Sequence, residues 1–477
     1  MIKKLPGLSR PITLTIILLA GSLSELPAQQ VYSIEDCIEM ALKSNKDIEA
    51  SRHMQLRYEY ERDAVRSNYF PSLELTATDM FSTFDGSFSY DLVSPAAQAI
   101  AVSLRERLPL FIGPTTQQRI STGLAKRFAH MNPNIDYKIG NVIVANLNMT
   151  QPIYMGGKIS AGYRMGSYGA QMAELSQELT KEETIVAVHE AYLLLVKAKD
   201  LLAVAQQYDS LLVQLMSDVK SAVSHGMTKI NDQLKVQVKK NEAELRVIQA
   251  ENGIRLARMN LCQVIGLPLN SELEVSDLSD SETVIVIGGE NVARQRTESR
   301  LLELKTSIAQ QQVKLVRSGM LPQVGVTANA SLIDGIEIMG DKLLDRKPVF
   351  TVGVSVKVPL FHAGENKKKV RAAKEELAQS RLEQESLNEK MSLELQKLTN
   401  EVDEAQLELD MRIRSLEQCD ENLRMSRKSY SVGYEPISDL LEAQLLWQQA
   451  YAELAEAKYQ KNLKTVKWLK AAGQLSY

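Results

Sequence analysis

Five histidines, three cysteines and one Gly-Gly-Lys run are the residues of this 477-residue chain with the most obvious capacity for chemistry. Their spacing assembles none. His53, His130, His189, His225 and His362 are scattered and give no metal-ligand spacing. Cys37, Cys262 and Cys419 lie far apart with no C-x-x-C pair, which reads as three small apolar residues in helix packing. Gly156-Gly157-Lys158 suggests a phosphate loop, but Ile159 follows the lysine and no glycine stands five before Gly157; a strand-to-helix turn explains the run better. No Ser-His-Asp set or catalytic carboxylate pair can be assembled, so neither an enzyme nor a bound cofactor or metal is expected. The net charge of −3, with acids and bases interspersed, gives no field for nucleic acid.

What the residues do instead is repeat. Val65-Arg66-Ser67-Asn68-Tyr69-Phe70-Pro71 returns 251 residues later as Val316-Arg317-Ser318-Gly319-Met320-Leu321-Pro322. Pro152-Ile153-Tyr154-Met155-Gly156-Gly157 returns 207 residues later as Pro359-Leu360-Phe361-His362-Ala363-Gly364. Gly226-x3-Ile230-x-Asp232-x-Leu234 returns at the same spacing as Gly433-x3-Ile437-x-Asp439-x-Leu441, and Gly266 pairs with Gly473. One supersecondary unit built twice is the organising feature. Residues 29–285 are read as the first copy and 286–477 as the second. Asp232 and Asp439, read alone, sit where a helix begins and where its dipole favours an acid.

Before each matched Pro71 and Pro322 the apolar period is helical; after it the period drops to two. Val324, Val326, Ala328, Ala330 and Leu332 alternate with polar or small neighbours, as do Phe350, Val352, Val354, Val356 and Val358. Ile143, Ala145, Leu147 and Met149 do the same, and Leu73, Leu75 and Ala77 more weakly. This predicts four strands in two hairpins, each about nine residues long with one apolar face. Pro71 and Pro152 stand 81 residues apart against 37 for Pro322 and Pro359, so residues 82–140 are expected to be a long loop with a short helix near 96–107.

Each hairpin leads into a very long helix, the second from about Glu365 to Tyr430, and then a return helix ending near Ile265 or Ala472. Gly226 and Gly433 mark the tips, since glycine suits the reversed backbone at a helix end. Met391, Leu395, Leu398, Val402, Ala405 and Leu409 form a coiled-coil seam. Ser33-Ile34-Glu35-Asp36 has the form of a capping box opening a short helix, and a second helix should run from Asp47 to Ser67. Residues 267–295 read as a linker. Lys3, Lys4 and Arg10 ahead of an apolar run from Ile12 to Ala20, then Leu26-Pro27-Ala28, predict a cleaved secretory signal over residues 1–28.

Four two-faced strands in an exported chain fit a membrane-spanning sheet, yet four cannot close a barrel, and open edges in lipid leave backbone groups unpaired. Several chains must share one barrel. Two copies would give eight strands and a filled interior; three would give twelve, wide enough to hold water. A homotrimer is expected, mainly α with a β-barrel contribution.

These residues resemble a known family, the TolC-like outer-membrane efflux proteins. The resemblance runs from Ser33 to Gly473 and rests on the paired prolines Pro71, Pro152, Pro322 and Pro359, and on Ser429-Tyr430-Ser431-Val432-Gly433 with Ile437-x-Asp439-Leu440-Leu441-x-Ala443. It implies a trimer with a shared twelve-stranded barrel in the outer membrane of a Gram-negative bacterium, and a helical tunnel in the periplasm. The implied partners are a periplasmic adaptor (membrane fusion) protein, an inner-membrane RND or ABC transporter, and outer-membrane lipid. The implied role is a passive exit duct for small molecules, drugs or metal ions; the alternatives are the duct of a type I protein secretion system and, in another class, an exported coiled-coil protein without a pore. At the periplasmic aperture the positions matching the family's gate are Asp232, Tyr430, Asp439 and Glu442, with Tyr430 donating to Asp232 as a latch. One departure stands out: the family carries a basic residue two after the tip glycine, where this chain has Glu435 followed by Pro436.

Overall fold

The computed structural model describes residues 31–89, 119, 134–276, 296–338, 341–342 and 348–475; the expected secretory signal and the helix at 96–107 lie outside these. The chain is mainly helical with one antiparallel sheet. In order, its elements are β1 (Val31–Tyr32), α1 (Ile34–Ser44), α2 (Lys46–Ser67), β2 (Ser72–Ser89), β3 (Asn134–Tyr154), α3 (Lys158–Ser224), α4 (Ile230–Ile265), β4 (Glu274–Val275), α5 (Thr297–Ser318), β5 (Gln323–Ile338), β6 (Asp341–Lys342), β7 (Val349–Lys357), α6 (Glu365–Ser431) and α7 (Ile437–Ala471).

The duplication is literal at the level of elements. α2 and α5 are both 22 residues long, and α3 and α6 both 67. At about 1.5 Å per residue the long pair span roughly 100 Å each. Neither contains proline, and each begins on a left-handed glycine, Gly157 or Gly364. At their far ends Gly226 and Gly433 take positive φ. Around them Met227 N–H donates to the Ala222 carbonyl and Tyr434 N–H to that of Ser429. These i to i−5 bonds close the last turn and satisfy carbonyls the helix would otherwise strand. The chain then reverses into α4 or α7.

The capping box is present: Ser33 Oγ accepts from Asp36 N–H, and the Asp36 carboxylate accepts from Ser33 N–H at 2.9 Å. Asn45 then both caps α2 and donates from Nδ2 to the Val264 carbonyl at 2.8 Å, pinning the α1–α2 corner to the end of α4. Cys37, Tyr192, Leu195, Leu261 and Cys262 pack there as one core. Burial pushes the Cys37 thiol up to about 12, which suits an apolar packing residue. The coiled-coil seam of α6 buries Met391, Val402 and Ala405, with Leu395 and Leu398 against Trp468 of α7, whose Nε1–H donates to Thr399 Oγ1 at 2.9 Å.

The two hairpins join into one sheet of order β2-β3-β5-β7, with the short β6 on the outer end of β5. Rows across it alternate in character. Leu73, Met149, Ala328 and Val352 stand abreast, as do Leu75, Leu147, Ala330 and Phe350. The intervening row holds Glu74, Asn148, Asn329 and Thr351. On that polar face Asn329 donates to Asn148, and Ser331 Oγ to Asn146 Oδ1 at 2.7 Å. The apolar face is bare: Leu73, Leu75, Phe350, Val352, Val354 and Val356 are each 62% to 79% exposed.

Two expectations need correction. Residues 82–89 and 134–140 are not loop but strand, so β2 and β3 run 18 and 21 residues instead of about nine. Ladder bonds continue from Phe84–Ile139 to Ser89–Asn134, because backbone pairing does not need a two-faced side-chain pattern. Nor is the segment after α4 a plain linker. Its residues Glu274–Val275 pair in parallel with Val31–Tyr32, with Leu273 and Val275 buried; residues 277–295 lie outside the described set. Lys367 to Lys369 are an exposed helix start, Lys369 pairing with Glu365.

Candidate aperture at the helical tips

Both helical hairpins turn at the end of the molecule away from the sheet. Here α3, α4, α6 and α7 share a core of Tyr208, Leu212, Val236, Leu440 and Trp447, among others. The core brings the two tips side by side and fixes where their polar groups stand.

On the first tip Asp232 occupies the third position of α4, where the helix dipole and free N–H groups favour an acid. Its carboxylate accepts from Lys235 Nζ at 3.1 Å and Thr228 Oγ1 at 3.0 Å, and these two hydrogen bonds hold it below the usual carboxylate range. On the second tip Asp439 occupies the equivalent position of α7 and accepts from Ser438 Oγ at 2.9 Å. Glu442 lies one turn on, on the same face. Both are exposed, opposite the buried Leu440, Leu441 and Ala443, and neither has an ion-pair partner among the described residues. The acid face of α7 thus carries two uncompensated charges.

Tyr430 is half-buried where the tips meet. Burial pushes its phenol up, and the nearby charges of Asp232 and Asp218 push it further. The expected latch is not formed within one chain: among the described residues Tyr430 makes no hydrogen bond to Asp232, whose oxygens are taken by Thr228 and Lys235. Glu435, noticed in the sequence only as a departure, has a role of its own. It accepts from the buried Ser426 Oγ at 2.6 Å and ties the turn back onto α6.

Sequence reading missed two further groups. Trp447, buried in the tip core, donates from Nε1 to Asp420 Oδ1 at 2.5 Å, clamping α7 to α6 above the turn. Trp447→Phe keeps the aromatic packing and removes this bond to a charged acceptor. It should cost about 1–2 kcal/mol and raise the rate of protease cleavage at the tip; unchanged cleavage would mean the clamp is idle. Gln444 is fully buried and its Oε1 has no partner among the described residues, a local weakness in the same core. Both depend on how the two helices of one hairpin pack across the turn, which no local spacing announces.

Residues 299–474 match the family described as outer membrane efflux protein. Over that stretch the chain is similar to the TolC-like outer membrane efflux family. It is 21% identical to outer membrane protein TolC of Escherichia coli over 334 residues, 67% of each chain. It is 23% identical to the alkaline protease secretion protein AprF of Pseudomonas aeruginosa over 327 residues, so the match spans 66% of that relative's length. Among solved structures, the CmeC outer membrane channel of Campylobacter jejuni superposes with a TM-score of 0.73 at 15% identity, covering 99% of this chain and 96% of that one. Members of this TolC-like family are channels and not enzymes. No described helix is long and apolar enough to cross a membrane.

Proposed function

We propose that this chain is the outer-membrane exit duct of a tripartite efflux pump. Three copies share a twelve-stranded barrel, and their paired helices continue it as a periplasmic tunnel. The observation that carries the reading is the sheet: a bare apolar face, a hydrogen-bonded polar face, and two open edges, β2 and β7. In lipid, the apolar face is solvated and the open edges must be paired, which further copies of the same sheet accomplish. Exposed Phe70, Tyr154 and Phe361 at the helix end of the strands suit a membrane interface.

The duct needs no catalytic residue, because the energy comes from an inner-membrane RND or ABC transporter reached through a periplasmic adaptor. At the tips, Asp439 and Glu442 from three copies gather around the axis. They repel anions, attract cations and form the selective constriction, with Tyr430 and Asp232 at its margin. A second reading, the duct of a type I protein secretion system, is favoured by the relatedness to a protease secretion protein.

The test is single-channel conductance in planar bilayers. The wild type should give small, cation-selective currents. Asp439→Ala with Glu442→Ala should raise the conductance several-fold and weaken the selectivity. Folded, inserted protein that passes no current in either form would sink the duct and favour an exported coiled-coil protein without a pore.

A further inference from the structure

Charge is segregated along α6. Its first ten residues, 365–374, hold five bases and one acid: Lys367, Lys368, Lys369, Arg371 and Lys374 against Glu365. The next fifteen, 375–389, hold five acids and one base. The positive block therefore occupies roughly the first 15 Å of the helix below the sheet and stops there. Glu365 is taken by Lys369. Lys367, Lys368, Arg371 and Lys374 are exposed, and among the described residues none has a carboxylate partner.

The fold does not need this block. A helix N-terminus already carries the positive end of the dipole, so cations in its first turns are disfavoured. Lys367, Arg371 and Lys374, spaced i, i+4 and i+7, also share one face, where like charges repel. The first half of the chain builds the same helix start without them. At the 207-residue offset Lys367, Lys368 and Lys369 fall on Ser160, Ala161 and Gly162, and Lys374 on Ser167; Arg371 alone meets a base, Arg164. Those counterparts are packing residues: Ala161 is buried, and a Cβ on Gly162 would stand 3.5 Å from Val65 of α2. In the second half the same positions are open to an occupant of opposite charge.

What lies beside the block identifies the occupant. Between it and the sheet stand Phe361, 85% exposed, and Leu360, 91% exposed, and beyond them the bare Val356, Val354 and Val352 of β7. Cations, then large interfacial side chains, then an apolar strand is the order in which a bilayer presents headgroup, interface and hydrocarbon. Lysine stems can lie along apolar surface while their ammonium groups reach headgroup level. Arg371 can match a phosphate with two parallel donors. We propose that Lys367, Lys368, Arg371 and Lys374 bind the phosphodiester headgroups of anionic phospholipid in the leaflet that faces the helices. The site rests on the membrane-spanning reading of the sheet and deepens it by naming the lipid class selected and the residues that select it.

Lipid selection tests it. The purified wild-type protein in dodecyl maltoside is offered equal phosphatidylglycerol and phosphatidylcholine, and the lipid that stays bound is counted by mass spectrometry. Phosphatidylglycerol should be retained several-fold over phosphatidylcholine, and the preference should fade at high salt. Lys367→Gln, Lys368→Gln, Arg371→Gln and Lys374→Gln together should abolish it. Lys390→Gln, Lys397→Gln, Arg414→Gln and Arg427→Gln, which remove equal charge farther down α6, should keep it. Without lipid the first variant should melt no lower than wild type; with phosphatidylglycerol only the wild type should gain, and inorganic phosphate at the same concentration should give no gain. A variant that already melts lower without lipid would make the block a contact within or between chains and overturn the site. Equal retention of the two lipids by the wild type, or equal stabilisation by phosphate, would overturn it as well. Wild-type protein that fails to float with liposomes of either lipid would undo the membrane-spanning reading itself, and this site with it.

Discussion

Gly266→Ala should be among the most damaging single-methyl changes in the molecule, costing about 3–5 kcal/mol. Gly266 ends α4 at φ +78°, and a Cβ there would stand 2.5 Å from the Ser44 carbonyl oxygen and 2.8 Å from its carbon. Those are backbone atoms at the end of α1, in a corner already pinned by Asn45, so they cannot swing away. The duplication supplies the control. Gly473, 207 residues on, has φ +63° with nothing within 4 Å of its would-be Cβ, and Gly473→Ala should lose only the left-handed backbone term, about 1–2 kcal/mol. Thermal midpoints and folded yields in detergent measure both. Equal losses would show that the contact with Ser44 is not what matters.

Arg296→Ala should cost about 3 kcal/mol at neutral pH. The Arg296 side chain is 6% exposed and donates to Glu298 and to Glu394, each at 3.0 Å. It thereby joins the start of α5 to the middle of α6. Its removal leaves Glu298 largely buried without its cation, while the partly solvated Glu394 moderates the loss. The effect has a pH signature. Burial alone would raise the Glu298 carboxyl, but the hydrogen bonds and charge of Arg296 outweigh it and hold the group below its ordinary 4.5. A depressed folded value adds stability above 4.5 that is lost as pH falls through the depressed value. The gap between wild type and Arg296→Ala should therefore be full at pH 7 and narrow below about pH 4.5. A gap independent of pH would place the effect in packing instead of charge.

Where the sequence was legible, a residue type was doing something only it can do. The tip glycines, the Ser33 box and the paired prolines mark turns whose backbone few other residues tolerate, so the long helices were bounded to within a residue or two. The four strands were visible over the stretch where one face is apolar. Beyond Phe81, Ser82-Thr83-Phe84-Asp85-Gly86 loses the alternation, and ladder bonds made by the backbone left no trace to read. The two-residue strands Val31–Tyr32 and Glu274–Val275 are shorter than any period. At the tips, the six-residue spacings of Asp232 from Gly226 and of Asp439 from Gly433 were legible in the sequence. Ser426 with Glu435, and Trp447 with Asp420, were not, because each contact joins one helix of a hairpin to its turn or return and depends on how the coiled coil is wound.

The equal 67-residue lengths of α3 and α6 carry a consequence for how such a chain can change size. Both helices hang from one sheet and end in one shared core, so a residue inserted in only one would drop its tip by about 1.5 Å and turn it by about 100° against its twin. Every knob below the insertion would then face the wrong hole. Reach can be altered only in whole heptads, in both halves, and in the returning strands of each coil together. The distance from sheet to tip is thus set in steps of about 10 Å, a ruler whose graduations are written twice in the gene and must be edited in both places at once.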